Sequence, residues 1–203
     1  MMRVLIACEF SAVVREAFRA RGHDAWSCDL LPSEQPGQHI QGDVLTVGKS
    51  QSWDLIISHS PCRFLSLSGV RWLYQHGRRW NKDGSENPID AERWSCMVRD
   101  AKLFRSIGEL PCERIARENS EMHSYALKIV GRKEDQIIQP WQFGHGETKA
   151  SYYWLKNLPP LTPTKIVEGR TARVHREAPS PDRWKNRSRT LQGIANAMAE
   201  QWG

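Results

Sequence analysis

The chain has 203 residues, enough to fill one α/β core and too few for two domains of ordinary size. Hydrophobic residues make up 39% and charged residues 26%, and no apolar run approaches the roughly 20 residues of a membrane helix. The apolar stretch at residues 4–8 is too short for a signal peptide and lacks a basic region and a cleavage site. We therefore expect a single domain spanning residues 1–203 that stays in the cytoplasm.

Cysteine and histidine usage argues against disulfides and metal. The five cysteines are odd in number and widely spaced, with no Cys-x-x-Cys pair. The seven histidines are equally scattered, so the sequence predicts reduced thiols and no metal site.

The charge balance favours an acidic partner. The net charge is +6 and the pI is near 9.2. Much of the excess lies in residues 162–189, here called the C-terminal basic segment, which contains Lys165, Arg170, Arg173, Arg176, Arg183, Lys185, Arg187 and Arg189. Trp184 lies among these cations and offers a surface on which a base could stack. A DNA-docking element and a solubilising loop are both compatible with this pattern.

The first third of the chain alternates strand and helix signals. Residues 3–8 predict a strand, and the apolar spacing from Val13 to Phe18 predicts a helix that ends before Gly22. Residues 25–28 and 53–57 predict two more strands.

Residues 63–88, here called the post-cysteine segment, have a different composition. They are rich in Gly, Ser, Arg and Asn, with Trp72 and Trp80 as large anchors. This composition predicts a long mobile loop, either functional or a disordered insertion.

The rest of the chain returns to alternating elements. Helical spacing covers residues 89–107 and a second helix is predicted over 121–130, and strand candidates lie at residues 114–116, 136–139 and 151–155. The alternation predicts an α/β, Rossmann-like fold with a mostly parallel, doubly wound sheet.

Polar residues follow several of the predicted strands. Glu9, Asp29, Cys62 and Glu118 each stand at such a strand end, and Asp43 follows in a Gly-Asp segment. In open α/β sheets, ligands bind outside the carboxyl ends of the strands, so these side chains are candidates for one site.

Taken in order, these blocks resemble the cytosine-5 DNA methyltransferases over nearly the whole chain. The shared blocks are the cofactor loop at residues 9–12, the acidic residue Asp29, Gly42-Asp43, Pro61-Cys62 and Glu118-Asn119, with residues 193–198 as the closing block. Residues 4–31 and 139–145 look more particularly like short phage- and prophage-encoded members.

The resemblance implies S-adenosylmethionine as cofactor and duplex DNA with a flipped base as substrate. The implied cofactor-binding residues are Phe10, Ser11, Ala12, Asp29, Asp43, Pro61 and Asn196. The carboxylate of Asp29 would accept hydrogen bonds from the ribose hydroxyls, and that of Asp43 from the adenine amino group. An Asp that follows a strand is also a common turn or helix cap.

The implied catalytic residues are Cys62, Glu118 and Lys149. A thiolate at Cys62 would add to carbon 6 of cytosine and so activate carbon 5 for methyl transfer. Glu118 would hold the base and donate to ring nitrogen 3 if burial raised its pKa. Lys149 stands where the family has an arginine-containing block, and residues 63–88 would act as a lid.

The sequence departs from the family pattern at several positions. Phe10 and Ala12 replace two loop glycines, Arg63 replaces the usual Gln after Cys62, and the Gln-x-Arg-x-Arg block is absent. A relative that binds DNA or cofactor without turnover is therefore a second hypothesis. A third is methylation of an exocyclic amino group, which Ser60-Pro61 faintly suggests although the following residues do not fit.

Overall fold

A computed structural model describes residues 1–203, and its central feature is one seven-stranded sheet. The strands are β1 (Arg3–Ala7), β2 (Asp24–Asp29), β3 (His39–Gln41), β4 (Leu55–His59), β5 (Ile115–Asn119), β6 (Gln136–Ile138) and β7 (Ser151–Lys156). They are ordered β3-β2-β1-β4-β5-β7-β6. Strands β1 to β5 pair in parallel, whereas β7 is antiparallel to both of its neighbours. The predicted Rossmann-like, mostly parallel sheet is confirmed.

Helices cover both faces of this sheet. They are α1 (Val13–Arg19), α2 (Val44–Ser50), α3 (Ala91–Gly108), α4 (Ser124–Val130), α5 (Arg173–Arg176), α6 (Arg183–Ser188) and α7 (Gln192–Gln201). On one face, α1 and α7 bury Phe18, Met198 and Trp202 against β1 and β4. On the other face, α2 and α3 bury Val47 and Ile107. Burial on both faces explains why the central strands are continuous apolar runs rather than alternating ones.

The strand order reverses between β1 and β4, because β2 lies on one side of this pair and β5 on the other. A crevice forms at such a point outside the carboxyl ends of the strands. The loops that follow β1, β2 and β4 therefore converge there, which fixes the place of the site.

The post-cysteine segment contains regular structure in part of its length, and its predicted mobility stays a prediction. Two 3₁₀ helices, Leu67–Leu73 and Gln75–Gly77, occupy its first half. Leu65 and Leu73 are buried in a third apolar cluster with residues of α3 and α4. Short 3₁₀ turns do not produce the 3.6-residue spacing on which helix prediction depends.

Two elements near the start of the sheet, β3 and α2, carry no strong sequence pattern and were not predicted. Conversely, α3 lies where the helical spacing placed it, ending at Gly108 rather than residue 107. No helix of the structure combines the length and apolarity needed to cross a membrane.

Candidate active site

A cavity of about 390 Å³ opens at the carboxyl ends of β1, β2 and β4. Five residues expected to bind cofactor or substrate line it, namely Phe10, Ser11, Asp29, Pro61 and Cys62. They come from three separate strand ends, and the parallel sheet brings them together. The volume lies within the roughly 300–1,000 Å³ that is usual for small-molecule pockets.

The loop between β1 and α1 is shaped by the buried residue Glu9. Its carboxylate accepts hydrogen bonds from the backbone amides of Val14 (2.8 Å) and Arg15 (3.2 Å) at the start of α1. Burial raises the pKa of Glu9, although nearby His59 and these amides lower it. The carboxylate thus fixes the turn that presents Phe10 and Ser11 to the cavity.

The same loop contains two non-glycine residues in the left-handed backbone region. Cys8 has φ 58° and Ala12 has φ 65°. Such conformations favour glycine, which the family has at the position of Ala12. Ala12 is buried and caps α1, and it is not part of the cavity wall; its role in cofactor binding stays a prediction.

Asp29 ends β2 and lines the cavity. Its Oδ1 atom accepts a hydrogen bond from the amide of Leu31 at 2.9 Å. Burial raises the pKa of this carboxyl group, and hydrogen bonding and His39 lower it. One carboxylate oxygen has no such bond and is available to a ligand hydroxyl.

Besides Ala12, two further residues expected to bind cofactor lie outside the cavity. Asp43 caps α2, accepting from the amide and hydroxyl of Thr46, both at 2.8 Å, and these bonds lower its pKa. Asn196 lies on the exposed side of α7 and accepts a hydrogen bond from Gln192. The rotation of α7 turns Asn196 away from the sheet, and a cofactor contact from this residue stays a prediction.

The C-terminal basic segment and the residues after it form the outer wall of the cavity. Trp184 lies on α6 with its ring centroid 5.7 Å from that of Phe10. Ser188, Arg189 and Thr190 complete this side. Sequence analysis assigned Trp184 to DNA binding and did not indicate that it meets the loop between β1 and α1.

Cys62 lies on the cavity lining and is exposed to solvent. Loss of hydration against the surrounding protein raises the pKa of its thiol, and the negative charge of Glu118 adds to the rise. Lys149 and Arg187 act in the opposite direction. The thiol is therefore protonated at neutral pH, and a nucleophilic role needs further activation.

Glu118 lies near the end of β5, beside β4, in a second pocket of only about 10 Å³. Lys149 lines the same pocket, and Ser188 and Thr190 line both pockets. Burial works to raise the pKa of Glu118, but His59, Lys149 and Ser151 outweigh it and lower the pKa overall. The expectation of a raised pKa is thus wrong for this state of the protein, because the neighbouring positive charges stabilise the carboxylate.

His59 is the functional candidate that sequence reasoning missed. It ends β4, lines the larger cavity, and its Nδ1 atom is 3.7 Å from Oε2 of Glu118. The hydroxyl of Thr190 is 3.5 Å from the same nitrogen, while Nε2 is buried and has no hydrogen-bond partner. Its position at a strand end, three residues before Cys62, was the available signal.

The candidate residues do not assemble a metal centre: no group of three or more His, Cys, Asp and Glu side chains is placed to hold an ion. The two pockets are lined instead by two thiols, one histidine, three carboxyl groups and the cations Arg63, Lys149 and Arg189.

No family model and no curated protein matches this sequence. Its fold is similar to those of solved methyltransferase structures. One is described as a DNA modification methyltransferase encoded within a prophage, from E. coli, with 13% identity and a TM-score of 0.49 over 89% of this chain and 56% of that chain. EhMeth of Entamoeba histolytica has 13% identity and a TM-score of 0.46 over 89% and 60%. Dnmt2 of S. pombe has 13% identity and a TM-score of 0.39 over 88% and 54%.

The chain thus spans between 54% and 60% of the length of these three proteins. At 13% identity the likeness concerns the fold alone.

Proposed function

We propose that the chain belongs to the cytosine-5 DNA methyltransferases and transfers a methyl group from S-adenosylmethionine to a flipped cytosine. The observation that carries this proposal is the position of Cys62. Its side chain lies on the lining of a cavity of cofactor size, next in the sheet to the strand that holds Glu118. A thiol between a cofactor pocket and a base-binding carboxylate is what addition to carbon 6 of cytosine requires.

The cavity suits S-adenosylmethionine in shape and charge. Phe10 and Trp184 provide aromatic surfaces for an adenine ring, and Asp29 provides an acceptor for ribose hydroxyls. Glu9 and Asp29 line the cavity together with Arg63 and Arg189, so the wall offers both carboxyl groups and cations to a ligand that carries both signs of charge. When bound, this cofactor supplies a methyl group on a positively charged sulfur.

The residues around Cys62 support its role as nucleophile. The positive charges of Lys149 and Arg187 favour the thiolate over the thiol, and neutralisation of Glu118 would remove a negative charge that opposes it. In the proposed reaction Cys62 adds to carbon 6, carbon 5 takes the methyl group, and loss of the carbon 5 proton releases the thiolate.

DNA would approach the side of the molecule on which Cys62 opens to solvent. The post-cysteine segment, which follows Cys62 in the chain, exposes Trp72 and Trp80, with the guanidinium of Arg71 4.6 Å from the Trp72 ring centroid. Arginine and aromatic side chains together suit phosphates and unstacked bases. Many cations of the C-terminal basic segment already have protein acceptors, so the post-cysteine segment is the stronger docking candidate.

The decisive experiment is incubation of the protein with duplex DNA and methyl-labelled S-adenosylmethionine, followed by digestion to nucleosides. Label in 5-methyl-2′-deoxycytidine supports the proposal, whereas label in a deoxynucleoside methylated on its amino group would mean that the exocyclic group is the target. The variant Cys62→Ala should abolish transfer and keep DNA affinity within a few-fold of the parent, because the thiol acts in the covalent step.

A second candidate function, cofactor or DNA binding without turnover, is favoured by the small pocket around Glu118. About 10 Å³ admits roughly one water molecule and no pyrimidine, so a base can reach Glu118 only if Ser188 and Thr190 move. Calorimetric binding of S-adenosylmethionine without labelled product on any DNA would support this function. The cytosine-5 proposal would then be wrong.

A further inference from the structure

Two arginines line the larger cavity, and they differ in whether their guanidinium groups already have partners. The Nε and Nη2 atoms of Arg189 donate to both carboxylate oxygens of Glu34 at 2.7 to 3.2 Å, and its Nη1 atom donates to Asn186 at 3.2 Å. Arg63 lines the same cavity but makes no ion pair and no side-chain hydrogen bond. Its N–H groups are therefore free to bind a ligand.

The backbone around Arg63 is held in place. The carbonyl oxygen of Cys62 accepts a hydrogen bond from the amide of Leu65 at 3.1 Å, which closes a turn around Arg63. The carbonyl oxygen of Phe64 lies 3.0 Å from Nε2 of His123. The guanidinium of Arg63 lies 5.2 Å from the Phe64 ring centroid, within the range of a cation–π contact. The turn thus keeps a free arginine at the cavity.

The cavity offers little else that could bind an anionic group. Its carboxyl groups, Glu9 and Asp29, bring no positive charge, and Arg189 is already paired with Glu34. A ligand carboxylate that enters the cavity loses hydration, and this loss is costly unless hydrogen-bond donors or a cation replace the water. Arg63 is the cation of the cavity wall that can do so.

The cofactor of the proposed function has such a carboxylate. S-adenosylmethionine carries a carboxylate and an ammonium group at its methionyl end, beside the positively charged sulfur that bears the methyl group. This methyl group must reach a base bonded to Cys62, so the methionyl end belongs in the part of the cavity lined by Cys62 and Arg63, which follow each other in the chain. The aromatic surfaces of Phe10 and Trp184 are left for adenine.

We propose that Arg63 binds the carboxylate of S-adenosylmethionine and is a specificity-determining residue of the cofactor site. This inference rests on the proposed function. A guanidinium matches a carboxylate in shape, and hydrogen bonds between the two are stronger than those between neutral groups. The same cation disfavours a ligand that keeps the positive sulfur and the ammonium group but lacks the carboxylate, because like charges repel.

The departure from the family pattern after Cys62 thus has a physical consequence. A glutamine at this position could donate a hydrogen bond to a carboxylate but could not offset its charge. Arg63 does both.

The test is calorimetric binding, without DNA, of S-adenosylmethionine and of its decarboxylated form to the parent and to Arg63→Gln. The two ligands share the adenosine, the positive sulfur and the amino group, and they differ in the carboxylate. We expect Arg63→Gln to weaken binding of S-adenosylmethionine about 10- to 100-fold, the usual cost of losing a hydrogen bond to a charged group. Binding of the decarboxylated form should not weaken.

Arg79→Gln is the matched control. Arg79 belongs to the same segment, is exposed and lies 5.1 Å from the Trp80 ring centroid, but it does not line the cavity. This variant should bind both ligands as the parent does. Arg63→Lys keeps the charge without the planar fork and should lose less affinity than Arg63→Gln. Because the Arg63 side chain is exposed and makes no hydrogen bond, both variants should unfold at the temperature of the parent.

Two results would overturn the inference. One is a parent-like affinity of Arg63→Gln for S-adenosylmethionine, and the other is an equal loss for the two ligands, since Arg63 would then not recognise the carboxylate. If Arg63→Gln binds the cofactor as the parent does but binds duplex DNA more weakly, the arginine contacts a phosphate instead.

Methyl transfer by the parent separates this inference from the proposed function. If binding depends on Arg63 and on the carboxylate but no methyl group is transferred to DNA, the proposed function fails and the inference stands. If the parent methylates cytosine and Arg63→Gln binds S-adenosylmethionine as tightly as the parent, the inference fails and the function stands. A parent that binds neither ligand would overturn both.

Discussion

The post-cysteine segment and the C-terminal basic segment look alike in sequence and fold for different reasons. Both are polar, carry several arginines and lack periodic apolar spacing. The first is anchored by buried apolar residues such as Leu65 and Leu73, in a cluster with residues of α3 and α4. The second is held mainly by polar contacts, and α6 buries no residue at all.

In these polar contacts, several cations of the C-terminal basic segment are paired with carboxylates of the protein. Arg189 pairs with Glu34 at 2.7 Å, Arg173 with Glu147 at 2.9 Å, and Lys185 with Asp182 at 3.7 Å. In the post-cysteine segment, Arg71 and Arg78 have no acidic partner. A count of basic residues therefore does not reveal which surface remains free to meet DNA.

The largest effect we expect is on the anchoring of the post-cysteine segment. Leu73→Ala should lower the free energy of unfolding by roughly 2–5 kcal/mol, because Leu73 is 1% exposed and its removal leaves a cavity. Leu67→Ala is the control, since Leu67 is 45% exposed, and should cost less than about 0.5 kcal/mol. Denaturant titration of both variants decides the matter; equal, negligible losses would restore the mobile-loop hypothesis.

The next effect is on the affinity for S-adenosylmethionine, which should depend on the C-terminal basic segment and not on the post-cysteine segment. Trp184→Ala should weaken S-adenosylmethionine binding by roughly 1–3 kcal/mol, the usual cost of removing an aromatic stacking surface. Trp80→Ala should leave cofactor affinity unchanged, although the two side chains are similarly exposed, at 52% and 55%. Isothermal calorimetry compares them directly, and an effect of Trp80→Ala as large as that of Trp184→Ala would contradict the assignment of the cavity wall.

The salt dependence of DNA binding tests which segment meets phosphate. The double variant Arg71→Ala/Arg78→Ala should flatten the slope of log affinity against log salt by up to about 1.8. Arg183→Ala/Lys185→Ala should flatten it less, since Arg183 donates to the carbonyl of Glu177 and Lys185 pairs with Asp182. Fluorescence anisotropy at several salt concentrations measures both slopes, and the reverse ranking would return docking to the C-terminal basic segment.

The smallest effect concerns the ion pair between Arg189 and Glu34. Both side chains are partly exposed, at 40% and 29%, so solvent screens the attraction. A double-mutant cycle on unfolding should give a coupling of about 0.2–1 kcal/mol that declines with added salt. A coupling that is insensitive to salt would mean that this contact is more sheltered than its exposure indicates.

Structural features that depend on residues close together in the chain could be predicted from the sequence. The β1–α1–β2 unit lies where its apolar patterns placed it, within one or two residues at each end. Phe10, Ser11, Asp29, Pro61 and Cys62 reach one cavity because the carboxyl ends of parallel strands share an edge of the sheet. The sequence analysis also named a helix cap as an alternative role for an Asp that follows a strand, and Asp43 does cap α2.

Properties that depend on contacts between residues far apart in the chain could not be predicted from the sequence. The pKa of Glu118 depends on His59 in the neighbouring strand, which is 59 positions earlier in the chain. Trp184 meets Phe10 across most of the sequence, and no local pattern records such a contact. The exposure of Asn196 follows from the rotation of its helix, which is set by packing, here of Ala195 and Met198.

The contact between Phe10 and Trp184 has a consequence for the order in which the protein is made. During synthesis, residues 1–60 can form β1, β2 and β4 long before the outer wall of the cavity exists. A ligand that needs both Phe10 and Trp184 cannot bind such a nascent chain tightly. The cofactor therefore cannot guide early folding, and loops closed over such long sequence separations are entropically slow to form. The wall of the cavity can be completed only after residue 184 has been made.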